Sequence, residues 1–134
     1  MAAELRHVLI IEDDRGFQEH ILDAPMYSVG RDPNCDIRVV SRYVSRRHAT
    51  LVQIPGHDDG SFHYRLVDGT PKGKPSSNGV AVNSTKVRAC DLSDGDEILL
   101  GYEVQATYRI VVYDRTRRPE SDQTIVPEEQ LSPV

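Results

Sequence analysis

Ten short apolar or alternating runs follow one another along this chain, and turn residues separate them. The runs are residues 7–12, 17–23, 27–31, 36–40, 48–54, 63–68, 79–83, 86–89, 96–101 and 104–114. Runs of this length at this spacing predict the β-strands of a sandwich or a barrel. The last run is the most regular. Its apolar residues recur at every second position and are expected to share one face of a strand: Val104, Ala106, Tyr108, Ile110 and Val112.

The segments between the runs carry Asp, Gly and Pro, which tolerate or impose the dihedral angles of turns. No stretch of ten residues combines helical periodicity with capping residues. We therefore predict an all-β fold, with one domain over residues 1–114. After Asp114 the alternation stops, and the proline-containing residues 115–134 are predicted to form a flexible tail.

Composition narrows the class of protein further. The 134 residues include no Trp and only eight other aromatic residues, six Tyr and two Phe, so the core must be built mainly from Val, Ile and Leu, which favour sheets. Cys35 and Cys90 lack the spacing of a zinc site, and two cysteines do not demand a disulfide.

No signal peptide and no apolar run of membrane-spanning length is found in the sequence. We expect a cytoplasmic protein without a membrane partner.

The distribution of charge is more informative than its total. A net charge of −5 argues against a nucleic-acid-binding protein, which would neutralise backbone phosphates over a broad face. Between Ser28 and Thr50, however, five arginines stand against two aspartates. The arginines occupy positions 31, 38, 42, 46 and 47. This local excess of positive charge predicts a binding site for a compact anion.

Three segments carry residues suited to such an anion. Gly30 permits close approach of the backbone, and Arg31 offers a planar fork of donors. Ser45 and Arg46 provide a neutral and a charge-assisted hydrogen bond from adjacent positions. The third segment, residues 76–79, combines a tight turn with an amide side chain that can bridge the backbone of an extended peptide. Taken singly, each segment also fits an ordinary turn or a solvated basic run.

In this order the three segments resemble the forkhead-associated (FHA) domain family. The resemblance rests on GR at residues 30–31, SRRHA at 45–49, SSNG at 76–79 with VN shortly after, and LSDGDEI at 92–98. It covers residues 5–113. It implies a two-sheet β-sandwich of about eleven strands with ligand loops at one end. It also implies a phosphothreonine-binding module without a cofactor, whose partner is a protein or peptide phosphorylated by a Ser/Thr kinase.

The resemblance further implies roles for individual residues. Arg31 and Ser45 match positions that contact the phosphate, and Arg46 matches one that often does so. Ser77 matches a position that lines the site, and Asn78 matches one that bonds the peptide main chain. The positions that shape and brace the loops are Gly30, His48, Gly79 and Asn83.

The sequence departs from the family pattern in residues 69–76, where the spacing is longer than usual. Lys72 and Lys74 in this inserted loop contact an acidic ligand in one interpretation and are ordinary solvated lysines in the other. The same stretch superficially resembles a nucleotide-binding P-loop. Its spacing is one residue short, however, and Pro75 occupies the position of the magnesium-binding hydroxyl.

One alternative function remains beside phosphothreonine binding. No catalytic or metal-binding motif is found, so neither an enzyme nor a metal site is predicted. The rival from another class is an interaction or structural module that uses a sheet face and ignores phosphorylation. A further hypothesis concerns the tail, which is an unmodified flexible end in one interpretation and a kinase substrate, phosphorylated at Thr124, in the other. The phosphorylated tail would then dock on Arg31 and Ser45 of the same or a second copy.

Overall fold

The computed structural model describes residues 3–56 and 60–114, which form eleven β-strands and contain no helix. The strands are β1 (Ala3–Asp13), β2 (Gly16–Leu22), β3 (Met26–Gly30), β4 (Ile37–Arg38), β5 (Ala49–Pro55), β6 (Phe62–Asp68), β7 (Val80–Val82), β8 (Thr85–Val87), β9 (Ala89–Asp91), β10 (Glu97–Leu100) and β11 (Val104–Asp114). The predicted all-β class with about eleven strands is confirmed.

The strands form two sheets, as the prediction of a β-sandwich requires. The first sheet has six strands in the order β2-β1-β11-β10-β7-β8, and the second has five in the order β4-β3-β5-β6-β9. In the second sheet β4 runs parallel to β3, with Val29 beside Ile37. The pairs β3–β5, β5–β6 and β6–β9 of the same sheet are antiparallel.

The registers of the second sheet bring three loop ends to one edge of the sandwich. Val29 near the end of β3 pairs with Ala49 at the start of β5, and Ala49 pairs with Asp68 at the end of β6. Because antiparallel neighbours run in opposite directions, the chain leaves β3 and β6 at the edge where it enters β5. Two of the three segments singled out in the sequence therefore meet here, together with the start of the inserted loop.

The core lies between the inner faces of the two sheets, and the alternation along β11 shows how far it extends. Of the residues predicted to share one face of β11, Val104, Ala106 and Tyr108 are buried and Ile110 is half-buried. Val112 was predicted on the same face, but it is 70% exposed. Among the described residues, Ile110 is the last residue of β11 that packs against the core cluster.

Two tyrosines occupy the centre of a core that has no Trp. Tyr64 and Tyr108 are fully buried, and their rings meet edge to face with centroids 6.5 Å apart. The Tyr64 hydroxyl donates to the Ala24 carbonyl at 2.7 Å, and the Tyr108 hydroxyl bonds His7 Nδ1. Burial raises the pKa of Tyr64 to about 12, so its phenol stays neutral.

The chain falls into two compact units. The larger, His7–Ile110, holds the core cluster and all the residues predicted to contact or brace a ligand. In the smaller, which consists of residues 1–6 and 111–134, the Arg6 guanidinium lies 4.0 Å from the ring centroid of Tyr113. The predicted tail, with Thr124, lies outside the described residues. In the part of the chain that is described, no helix has the length and apolar character to span a membrane.

Candidate functional site

Arg31 directly follows β3 and is anchored to the segment that precedes β5. Its backbone N–H donates to the Ser45 carbonyl at 3.0 Å, and its Nε donates to the Val44 carbonyl at 3.0 Å. The side chain is exposed, and no described carboxylate forms an ion pair with it. The two terminal nitrogens of the guanidinium therefore keep their donors for solvent or for a ligand.

Gly30 is the point where β3 passes closest to the same segment. A Cβ atom on Gly30 would lie 2.2 Å from the Arg46 carbonyl oxygen and 3.0 Å from the His48 nitrogen. The Arg46 carbonyl also accepts hydrogen bonds from the backbone N–H of Asp32 at 3.1 Å and from Cys35 Sγ at 3.2 Å. Only a residue without a side chain allows this packing, which fixes Arg31 relative to Ser45.

Ser45 connects the second segment to the third. Its Oγ accepts a hydrogen bond from the Ser77 backbone N–H at 3.0 Å. Because the hydroxyl is the acceptor in this bond, its own proton remains available to an anion. Ser45 is half-buried and Ser77 is exposed, so both reach the surface at the edge of the sandwich where β3 and β6 end and β5 begins. We call this edge the rim; it carries Arg31, Ser45, Ser77 and Asn78.

Asn78 adds a second connection between the same two segments. Its Nδ2 donates to the Tyr43 carbonyl at 2.9 Å, and its side chain is half-buried. One amide hydrogen and the side-chain carbonyl oxygen are left over from this bond. A donor and an acceptor side by side are the groups that a peptide main chain can bond.

His48 joins the segments from inside the protein. It is fully buried, its Nδ1 accepts the Ser45 backbone N–H at 2.9 Å, and its Nε2 lies 2.7 Å from the Gly79 carbonyl. Because Nδ1 is an acceptor, the neutral ring carries its proton on Nε2 and donates it to Gly79. Desolvation lowers the pKa of His48, which favours this neutral form. Both ring nitrogens are occupied, so His48 has no nitrogen free for acid–base chemistry.

Arg46 differs from Arg31 because it already has a partner. Its side chain is 75% exposed, and one terminal nitrogen lies 3.5 Å from the Asp32 carboxylate. The Asn34 backbone N–H, followed by the charges of Arg46 and Arg47, lowers the pKa of Asp32. An exposed ion pair of this length is weak, so a dianionic ligand can compete with Asp32 for Arg46.

The inserted loop is closed at both ends, so its extra length does not separate the site residues. The buried carboxylate of Asp68 accepts the Ser76 backbone N–H at 2.9 Å, and the Gly69 N–H donates to the His48 carbonyl at 2.7 Å. Residues 71–75 between these anchors are exposed. Lys72 and Lys74 lie in this exposed part.

Gly79 and Asn83, the remaining residues predicted to brace the loops, lie at opposite ends of β7. The Gly79 carbonyl accepts from both His48 and the Gly101 backbone N–H, so Gly79 belongs to the rim. Asn83 has a φ of 50°, and its side-chain amide bonds Asp96 Oδ1 at 2.9 Å and the Glu97 N–H at 3.0 Å. It therefore ties the turn after β7 to the start of β10, away from the residues that surround Ser45.

Four residues that hold the rim together were not predicted from the sequence. Ser76 Oγ accepts the Gly79 backbone N–H at 2.9 Å, Thr50 Oγ1 donates to the Gly69 carbonyl at 2.8 Å, and Asp68 and Tyr43 bond the loops as described. Asp68 had a signal in the sequence, because Asp before Gly at the end of a strand often bonds the following backbone. Tyr43 had none, because it contributes only its carbonyl.

The rim is an open surface and is distinct from the cleft beside it. A cleft of about 320 Å³ is lined by Met26, Ser28, Asp36, Arg47, Ala49, Thr50, Thr70 and Pro71. None of the residues predicted to contact a ligand lines it. A phosphate group needs several convergent donors more than an enclosed volume, and these donors lie at the rim.

Among residues 3–56 and 60–114, no group of three His, Cys, Asp or Glu side chains is placed to hold a metal.

Comparisons with known proteins cover the same region. The family model described as the FHA domain matches residues 27–101. The uncharacterized protein sll1895 of Synechocystis is 37% identical over 107 residues, which are 78% of this chain and 15% of that protein. This chain thus matches only a small part of that curated relative's length.

Two solved structures extend the comparison. The Slr1951 protein from Synechocystis is 42% identical, with a TM-score of 0.73 over 81% of this chain and 99% of the other. A structure from work on phosphothreonine-dependent FHA domain interactions is 28% identical, with a TM-score of 0.61 over 78% of this chain and 95% of the other. The residues matched by the family model include every position predicted to contact or brace a ligand.

Proposed function

This chain belongs to the FHA domain family, and we propose that it is a non-catalytic module that binds protein segments containing phosphothreonine. The observation that carries the proposal is the joining of three distant segments at one rim. Arg31 bonds Ser45, Ser45 bonds Ser77, and Asn78 bonds Tyr43, each at about 3 Å. The similarity to an FHA domain with phosphothreonine-dependent interactions supports the same function.

The donors at this rim suit a phosphate dianion. Phosphothreonine carries a charge of about −1.5 to −2 and three acceptor oxygens. Arg31 offers its terminal nitrogens, Ser45 offers its hydroxyl proton, and Arg46 can exchange Asp32 for the ligand. Each hydrogen bond to a charged group contributes roughly 1.5–3 kcal/mol. After several kcal/mol of association cost, three or four such bonds correspond to a dissociation constant on the order of micromolar.

In this proposal, the domain binds its partner only when the threonine of the partner is phosphorylated. Without the phosphate, the guanidinium donors gain nothing by leaving water, and the amide of Asn78 alone is too weak to hold a peptide. The partner is therefore a substrate of a Ser/Thr kinase, recognised only after modification. No reacting group is required, since the buried His48 uses both ring nitrogens inside the fold.

The test measures binding of an oriented phosphothreonine peptide library, and then of selected peptides, to the wild-type chain and to Arg31→Ala. We expect Arg31→Ala to weaken binding by about 100-fold or more, because at least two charge-assisted bonds are lost. Arg109→Ala is the matched control. It removes the same charge from an exposed arginine that pairs with Asp94, and it should leave affinity unchanged.

The rival function gives the opposite result. A module that uses a sheet face would bind phosphorylated and unphosphorylated partners equally well, and Arg31→Ala would bind like the wild type. Equal affinity for the two forms of a selected peptide would therefore rule out the proposed function.

A further inference from the structure

Arg38 is one of the five arginines of the basic stretch, and the structure places it beside Arg31. Its Nε donates to the Arg31 carbonyl at 3.2 Å. In the two-residue strand β4, Arg38 pairs with Gly30, which directly precedes Arg31 in the chain. Both arginine side chains are exposed. The rim therefore carries a second guanidinium group that is tied to the backbone of the first.

The backbone of Arg38 is held from two sides. The Val39 N–H donates to the Gly30 carbonyl at 2.8 Å, which continues the pairing of β4 with β3. From the other direction, Arg15 Nη2 donates to the Arg38 carbonyl at 2.9 Å. A side chain on a fixed backbone loses less conformational entropy on binding than one on a free loop.

The other three arginines of the stretch have different surroundings. Arg42 Nη2 donates to the Tyr43 hydroxyl at 3.0 Å, and Arg46 is in an ion pair. Arg47 lines the separate cleft. Arg38 is therefore distinguished by its contact with Arg31 and not by the mere absence of an ion pair.

The juxtaposition of Arg31 and Arg38 favours an anion with two charges. Like charges at neighbouring positions repel each other. Within residues 3–56 and 60–114, no carboxylate forms an ion pair with either guanidinium. A phosphate dianion supplies about one negative charge for each of them. Binding of the dianion would relieve the repulsion that the free protein retains.

We propose that Arg38 is a second cation of the phosphate-binding site and contacts the phosphate group beside Arg31. This inference rests on the proposed function. The bond through Nε leaves both terminal nitrogens of Arg38 as donors, in a planar fork that suits phosphate oxygens. The added charge also increases the rate at which a phosphorylated ligand associates.

The experiment separates the charge of Arg38 from its bond to Arg31. In Arg38→Gln, the amide nitrogen is as many bonds from Cα as Nε is in arginine, so a donor to the Arg31 carbonyl is kept while the charge is lost. Arg38→Lys keeps the charge. Arg109→Gln is the matched control, with the same change in net charge on an arginine that pairs with Asp94.

Dissociation constants are measured for one phosphothreonine peptide at low and at high salt. We expect Arg38→Gln to weaken binding about fivefold at low salt, which is the size of an exposed charge interaction. Arg38→Lys should stay within about twofold of the wild type, and Arg109→Gln should not change affinity. In about 0.5 M salt the difference between wild type and Arg38→Gln should shrink, because salt screens exposed charges. A merely structural role of Arg38 would not produce this salt dependence.

The outcomes separate this inference from the proposed function. Wild-type affinity of Arg38→Gln, equal weakening in Arg38→Lys or in Arg109→Gln, or a difference that salt leaves unchanged overturns the role of Arg38. In each of these cases the wild type still requires phosphate. If phosphate-free peptide binds the wild type equally well, the proposed function itself fails. Thermal melts of the variants that match the wild type confirm that they are folded.

Discussion

His48 has two hydrogen bonds that run to different segments of the rim. Its Nδ1 holds the backbone of Ser45 and its Nε2 holds the carbonyl of Gly79. The side chain is fully buried, so replacing the ring would leave two buried polar groups without a partner. The geometry of Ser45 therefore depends on a residue that is buried beneath the surface.

The lowered pKa of His48 predicts a pH dependence of stability. Burial keeps the folded protein's ring neutral, whereas the unfolded chain takes up a proton below its ordinary pKa of 6.5. This contribution is complete above about pH 6.5 and decreases as the pH falls towards the folded-state pKa. The difference in unfolding free energy between wild type and His48→Gln should shrink from about pH 7.5 to about pH 5.5 in urea titrations.

His7 and His20 also have lowered pKa values, both mainly through burial. They are present in wild type and variant alike, so their contributions cancel in the comparison. A difference that stays constant over this pH range would contradict a neutral, buried role for His48.

At the scale of the element, the contact between β3 and the segment before β5 depends on Gly30. In Gly30→Ala, the new Cβ would meet backbone atoms of Arg46 and His48, which cannot move aside as a flexible side chain can. We expect a loss of more than about 2 kcal/mol in unfolding free energy and a loss of phosphopeptide binding. Chemical denaturation and peptide titration measure the two effects.

Gly16→Ala is the comparison for Gly30→Ala. Gly16 has a φ of +107° in the turn between β1 and β2, but a Cβ there would meet nothing within 4 Å. Backbone strain alone should cost about 1–2 kcal/mol and leave ligand affinity unchanged. Equal effects of the two substitutions on binding would show that close approach at Gly30 is not what positions Arg31.

The predicted runs coincide with strands, but their bounds differ at β1, which begins at Ala3, at β4, which covers only Ile37–Arg38, and where the chain changes sheets. Residues 86–89 were predicted as one strand, but β8 ends at Val87 and β9 begins at Ala89. β8 pairs with β7 in the first sheet, and β9 pairs with β6 in the second. Alternation indicates which side chains are buried, but it carries no information about which sheet accepts the backbone hydrogen bonds.

The site was predictable where side chains carry the chemistry and unpredictable where the backbone does. Arg31, Ser45 and Asn78 could be proposed from the sequence because their side chains are unusual together and occur in a fixed order. Tyr43 was missed because its contribution is a carbonyl, which every residue possesses. Ser76 was missed because its hydroxyl bonds only the backbone of its own turn.

For the whole molecule, the hypothesis of a self-ligand stays a prediction, since Thr124 lies outside the described residues. A phosphorylated Thr124 would compete with an added phosphopeptide at a high effective concentration, because it is part of the same chain. We expect the full chain phosphorylated at Thr124 to bind a selected phosphopeptide several-fold more weakly than the unmodified chain. Thr124→Ala, treated with the same kinase, is the control, and equal affinities in fluorescence titration would dispose of the hypothesis.

The hydrogen bond between the Ser76 backbone and the Asp68 carboxylate affects how the inserted loop can vary in length among relatives of this domain. Because both ends of residues 69–76 are fastened beside His48, the number of residues between them can change while the rim keeps its shape. Closing a loop of twice the length costs only about 0.6 kcal/mol more. Insertions in this loop change the surface beside the rim without changing the rim itself. Two related proteins can then share the same phosphate-binding residues and still prefer different partners.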